Sequence, residues 1–189
     1  MKENVEDEIE EDSGEEKEGK KMRSQLIKLM LLPVIVVTVA GMGCPQGGTS
    51  NGPAERILSL INQKRVAAGC KEVLGNGQLW TAADRHASDM AYKKAHLQAG
   101  TDGHTGTDGS RPDQRITQAG YTPYSSYGEI IYWKDNNLSQ NEEVATVDWW
   151  MNSPQHKAIM LDCQFTDAGV ALYYPGGTSW YTTVDFGRK

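Results

Sequence analysis

Long apolar runs, aromatic bulk and cysteine are all scarce in this sequence, and each scarcity removes a class of protein. Its 189 residues include 2 phenylalanines, 5 tryptophans, 8 tyrosines and 3 cysteines. The main apolar run, residues 29–40, falls short of the roughly 20 residues of a permanent membrane-spanning helix. No two cysteines stand in a CxxC spacing, so neither a redox dithiol nor a zinc ribbon is present. No HExxH pattern of a zinc-dependent protease occurs either. Positive charge is also in deficit, with 19 Lys and Arg against 25 Asp and Glu. From Cys44 onward the balance is 13 against 15, a net of −2 with neither sign bunched, which argues against nucleic acid as a partner.

What is present divides the chain in two. Residues 1–21 are dominated by Glu and carry no apolar periodicity, so they cannot bury a core and are predicted to be disordered. Lys20, Lys21, Arg23 and Lys28 then lead into the apolar run at 29–40 and the small residues Ala40-Gly-Met-Gly-Cys44. A basic start, a short apolar stretch and a small-residue exit form a signal peptide over residues 22–43. Initiation at Met22 would remove the anomaly of an acidic extension ahead of it. The exit resembles the lipobox of bacterial lipoproteins, with Gly41 standing where an aliphatic residue is usual. That resemblance implies lipidation at Cys44 and a membrane anchor; simple cleavage and an uncleaved anchor are the alternatives. Residues 44–53 are Gly, Pro and small polar residues, a tether.

The globular part is expected at residues 54–189, a length sufficient for one domain with its own core. A helix starting at Ala54 carries Ile57, Leu58 and Ile61 as its apolar stripe and ends at Gly69. A second, over residues 78–94, repeats Leu79, Ala82, Ala83, Ala87, Met90 and Ala91 at intervals of three and four, and so much alanine calls for a close neighbour. Residues 99–112 are turn chemistry around His104. A short helix at 113–118, a strand at 127–133 bearing Glu129, and a helix at 142–152 follow. Ser153-Pro154 opens a further helical turn, with Ser153 as N-cap and His156 close behind. Two β-rich runs about Pro175-Gly-Gly close the chain as a hairpin. Helices first, then strands with helices between, give a layered α/β or α+β domain.

The succession His104-Thr-Gly-Thr-Asp-Gly, Ala119-Gly-Tyr, Gly128-Glu-Ile and Trp150-Met-Asn-Ser-Pro-Gln-His-Lys resembles the signature of the CAP superfamily, also called the SCP domain, in its bacterial exported branch. The resemblance implies an α-β-α sandwich with an antiparallel central sheet flanked by helices. It also implies a central cleft lined by His104, Glu129 and His156. Ser153 stands where many members carry a second Glu, and Ile130 where they carry Asn. Cys70 and Cys163 fall where bacterial members often carry cysteines, and with Cys44 assigned to lipid they remain as an even pair. A disulfide between them is therefore expected, against the alternative of two buried free thiols.

Two imidazoles and a carboxylate, His104, His156 and Glu129, are three ligands for a divalent ion such as zinc, with one position left open to water. Equally, they form a metal-free polar cluster in which Glu129 holds both rings, and no cofactor is then required. A helix N-terminus disfavours the imidazolium of His156. Ser153, or a threonine beside His104, served by a histidine base and Glu129 would make a nucleophilic hydrolase, a further alternative, although an N-cap already accounts for the serine. His86 belongs to the apolar stripe as a core histidine, and His96 to a solvated helix end. Asp108 and Arg115 are expected to pair or cap around the His104 loop. Of Trp149 and Trp150, one is expected in the core and one toward the cleft or the surface, and Tyr121, Tyr124 and Tyr127 either pack or line an aromatic rim for an apolar or carbohydrate ligand. The function implied is an exported cell-envelope or extracellular binding module, its partner a small apolar molecule, a glycan or a protein; an envelope hydrolase, metal-dependent or nucleophilic, is the alternative.

Overall fold

The computed structural model describes residues 52–189; the expected acidic extension, signal peptide and Cys44 anchor, and all but the last two residues of the tether, lie outside them. The elements in chain order are α1 (Pro53–Ala67), β1 (Leu74–Gly75), α2 (Gly77–Lys93), α3 (Pro112–Gln118), β2 (Ser126–Asp135), α4 (Glu142–Asn152), α5 (Pro154–Met160), β3 (Asp167–Tyr173) and β4 (Ser179–Arg188). Short 3₁₀ turns occupy Ala95–Leu97 and Pro175–Gly177. The strands form one sheet in the order β1-β3-β4-β2. Pairing is antiparallel except at one edge, where the two-residue β1 runs parallel to β3. The fold is α+β, as expected, and β1 is the element that periodicity over two residues could not reveal.

Alternation along the strands sends apolar groups to both faces of the sheet. On one face Ile130, Tyr132, Ala168, Val170, Val184 and Phe186 pack against Ile57 and Ile61 of α1, Val147 and Trp150 of α4, and Met160 of α5. On the other, Ile131, Ala171 and Tyr181 meet the small-residue stripe of α2. The sheet is thus sandwiched between helices.

The close neighbour demanded by the alanines of α2 is backbone. A Cβ on Gly169 of β3 would lie 2.0 Å from the amide nitrogen of Trp80, so strand and helix touch main chain to main chain.

The stripe of α1 extends one turn beyond the expected apolar positions, to a fully buried Arg65. Its guanidinium donates to the carbonyls of Lys71, Met160, Asp162 and Phe165 at 2.8–3.1 Å. Burial lowers its pKa, opposed by the charge of Asp162. The last three of these bonds tie the end of α5 and the segment after it to α1, and within that segment Cys163 is bonded to Cys70, with Cα atoms 4.9 Å apart. The expected disulfide is present.

Candidate functional site

The His104 loop lacks regular structure but is held on all sides. Asp89 of α2 accepts from the amide and the hydroxyl of Thr107 at 2.6 and 2.7 Å. Arg115 of α3 donates to the carbonyls of Ser110 and His104 at 2.7 and 3.0 Å. His86 of α2 bonds the carbonyl of Gly103 at 3.0 Å, which makes its Nε2 the protonated nitrogen. A Cβ at Gly106 would fall 2.8 Å from Asp108 Oδ1 and 2.9 Å from Ser110 Oγ, so a larger residue there would have to push aside the side chains that fold the loop.

This framework delivers His104 to Glu129 of β2. The imidazole Nδ1 lies 2.7 Å from Glu129 Oε1, and Arg115 donates to Oε2 at 2.7 Å. Glu129 and Arg115 are both buried, so this ion pair is screened little by solvent. Burial works against ionisation of Glu129, but the hydrogen bond from His104 and the charges of His86, Arg115 and His104 outweigh it and lower its pKa. Burial likewise opposes protonation of His104, and here too Glu129 prevails, raising the imidazole pKa. A cavity of about 170 Å³ opens beside the pair, bordered by Tyr127, Arg111 and Asp102.

His156 approaches from α5. Burial lowers its pKa, and the charge of His104 lowers it further, so the two imidazoles are close enough to oppose each other's protonation. Its Nδ1 lies 2.7 Å from Ser153 Oγ, and its ring packs on half-exposed Trp149 at 4.8 Å between centroids. Trp150 is fully buried and donates to the Ile131 carbonyl, so the adjacent tryptophans divide as expected.

Several expected pairings are rearranged. The second ring near Glu129 is His86, at 4.0 Å, whereas His156 is held by Ser153. Ser153 occupies the N-cap position without a side-chain cap, because its hydroxyl is engaged by His156. Among the described residues no three His, Cys, Asp or Glu side chains are grouped to hold a metal ion; both Glu129 oxygens are already committed. His96 is buried rather than solvated, stacked near Trp133 and Tyr181. Asp108 and Arg115 both cap the His104 loop, one of the two expected arrangements, Asp108 by accepting from the Ser110 amide and Arg115 through the carbonyls of Ser110 and His104; the ion pair of Asp108 is with Arg85. Tyr121 is core, its hydroxyl donating to Asp167, and Tyr124 bridges it to half-exposed Tyr127.

One residue of the site escaped the sequence reading. Asp185 of β4 is fully buried directly opposite Glu129 in the strand register. Burial and the charge of Glu129 push its pKa well up. The signal was available: an aspartate between Val184 and Phe186, in a strand otherwise buried almost end to end.

Residues 58–186 match the model of the cysteine-rich secretory protein family, CAP, and the chain belongs to that family. Its solved structural relatives include an extracellular protein containing a SCP domain from Bacillus anthracis, 24% identical with a TM-score of 0.59. That match covers 74% of this chain and 41% of the other, so the chain corresponds to less than half of that protein. An outer surface protein from Borrelia burgdorferi is 21% identical with a TM-score of 0.59, over 72% of this chain and 93% of its own. Both relatives show the shared fold. No curated relative matches the chain by sequence.

Proposed function

We propose that this protein is an exported, lipid-anchored binding module of the cell envelope, whose cleft at His104, Glu129, His156 and Ser153 holds a ligand without transforming it. The observation that carries this reading is the way the polar groups are paired. A nucleophilic relay needs serine, base and carboxylate in one line. Here the carboxylate of Glu129 is bonded to His104 and the hydroxyl of Ser153 to His156, so the three parts belong to two separate pairs. Glu129 is moreover neutralised by a buried arginine, which suits a scaffold better than a base. A Gly-x-Ser-x-Gly spacing occurs once, at residues 48–52, within the stretch read as a tether and ahead of the residues that match the family.

A divalent ion such as zinc is a reversible ligand of the same cleft. His104 and His156 would hold it through Nε2, the nitrogen that no hydrogen bond engages in either ring among the described residues. Glu129 would fix the tautomer of His104 in the manner of an outer-shell carboxylate. Two protein ligands leave the metal exchangeable and unnecessary for folding. Organic ligands of the cleft would be a small apolar molecule, a glycan or a partner segment lying between Tyr127 and Trp149.

Zinc titration calorimetry at two pH values, on the wild type and on His104→Ala and His156→Ala, tests the metal reading. Binding should weaken as pH falls through the raised pKa of His104 and disappear in both variants; undiminished binding would remove the site. Hydrolysis of any ester or peptide that is lost in Ser153→Ala would replace the binding reading with the hydrolase. Labelling with an alkyne fatty acid tests the anchor, and the label should vanish in Cys44→Ser.

A further inference from the structure

A second cavity, outside the cleft and larger than the one beside His104, lies open to solvent between the segment that joins β2 to α4 and the turn between β3 and β4. Its volume is about 470 Å³, and it is lined by Asn136, Asn137, Leu138, Ser139, Gln140, Tyr174, Gly177 and Thr178. That size lies within the roughly 300–1,000 Å³ of small-molecule sites. The chemistry of the lining is unusual for this chain. Charged residues make up 23% of the sequence, yet none of these eight side chains is charged at neutral pH.

The polar groups are also free. The side chains of Asn136, Asn137, Gln140 and Thr178 make no hydrogen bond within the described residues, while the neighbouring Ser139 hydroxyl is used on Glu142. Asn136 and Asn137 both hold left-handed backbone conformations, at φ 60° and 48°. Two such residues in succession fix the turn, and asparagine tolerates that conformation better than other non-glycine residues. The amide of Asn136 is anchored to the carbonyl of Thr178 across the mouth of the hairpin at 2.8 Å, so both walls of the cavity share one main-chain hydrogen bond. Tyr174 is half exposed and meets Trp180 edge to face at 5.9 Å. Its ring is therefore braced from one side and open to solvent.

We infer that this cavity is a binding site for a neutral saccharide unit. Such a ligand presents hydroxyls that act as both donor and acceptor, which side-chain amides match group for group, and an apolar face of C–H bonds that packs on an aromatic ring. An anionic or cationic ligand would find no countercharge here, and a purely apolar one would strand the amides. The site is separate from the His104 cleft, and its occupancy does not depend on how that cleft functions.

The test is titration of the full chain with neutral trisaccharides, maltotriose, cellotriose and chitotriose, followed by heteronuclear NMR. Trigalacturonate, in which every unit carries a carboxylate, serves as the charged control. The indole N–H signal of Trp180, assigned by its loss in Trp180→Phe, reports on the Tyr174 platform. At least one neutral trisaccharide should shift it with millimolar or better affinity. Binding should weaken at least tenfold in Tyr174→Ala and in Asn137→Ala while persisting in His104→Ala, and the charged control should not compete. Absence of any shift at 10 mM of all three sugars overturns the inference. So does binding that survives both cavity variants, or that is lost in His104→Ala, which would return the ligand to the cleft. Tyr174→Phe keeps the ring and should keep binding, which separates loss of the platform from loss of the fold.

Discussion

Glu129 and Asp185 face one another across β2 and β4 as a register pair, both buried on the face of the sheet that α2 covers. Two carboxylates so placed cannot both ionise cheaply. Arg115 and His104 select Glu129 as the charged member by bonding it directly. Asp185, whose two oxygens have no hydrogen-bond partner as an ionised group, is left as the protonated one. A neutral Asp185 is then a donor beside an acceptor, and the site carries one negative charge rather than two.

The stability of the protein should therefore depend on Asp185 in a defined direction. A carboxyl whose folded pKa is raised binds its proton more tightly in the folded state, so stability falls as pH climbs from the unfolded value near 3.9 toward the folded one. Asp185→Asn removes this dependence. Across that window the variant should gain on the wild type by up to about 1.4 kcal/mol per pH unit. Urea denaturation at pH 4, 6 and 8 measures the difference, and a gap that does not widen with pH would refute the assignment.

Replacing Glu129 should act in the opposite sense. Glu129→Gln leaves Arg115 buried without its countercharge, a loss of about 3–5 kcal/mol for a broken buried pair. His104 loses the interaction that raises its pKa, so its imidazole should titrate at lower pH in the variant. The contribution of protonated His104 is complete below its unfolded pKa and fades as pH rises through its folded one. The variant's deficit should accordingly shrink above that pH, leaving the Arg115 part. Denaturation profiles with histidine NMR titrations supply both numbers.

How much of this was legible beforehand follows from the range of each interaction. The helix over residues 142–152, the alanine stripe of α2 and the terminal hairpin were readable because three- and two-residue periods are local. Family resemblance added the cleft and the Cys70–Cys163 bridge. The pairings within the cleft were not readable. Whether Glu129 bonds His156, His104 or His86 depends on angles between separate elements, with the three rings 27, 25 and 43 residues from it in the chain, and nothing in the spacing of histidines encodes them. Arg65 and Asp185 were hidden for a related reason. Each continues an apolar pattern with a charged side chain, and only the partners brought by the fold, four carbonyls for one and a second carboxylate for the other, show what it does.

Reduction of the disulfide should destabilise the domain without unfolding it outright. The bridge spans 93 residues, for which loop-closure entropy gives about 4.6 kcal/mol. Arg65 holds the same segment through three hydrogen bonds of its own, to the carbonyls of Met160, Asp162 and Phe165. Melting with and without reductant should show a lowered but cooperative transition. In Arg65→Ala the same reductant should abolish it, since both ties on residues 160–165 are then gone.

The tightest structural constraint predicted for a single methyl group lies at Gly169. Its added Cβ would sit 2.0 Å from Trp80 N and 2.2 Å from the Leu79 carbonyl carbon, and both are backbone atoms of a helix that packs along the whole of β3. Neither a rotamer change nor a flexible side chain can make room, so α2 itself would have to move. Moving α2 displaces His86 and Asp89, which hold the His104 loop, and thereby pulls His104 away from Glu129. Gly169→Ala should cost about 3 kcal/mol or more through overpacking and should also shift the His104 titration toward its ordinary value. Gly75→Ala is the matched control, because its Cβ would meet only the side chain of Leu58 at 3.6 Å, an ordinary contact. Thermal denaturation with His104 NMR on the two variants decides the matter. A Gly169→Ala protein as stable as Gly75→Ala, with an unchanged His104 titration, would show that the main-chain contact between α2 and β3 does not set the geometry of the cleft.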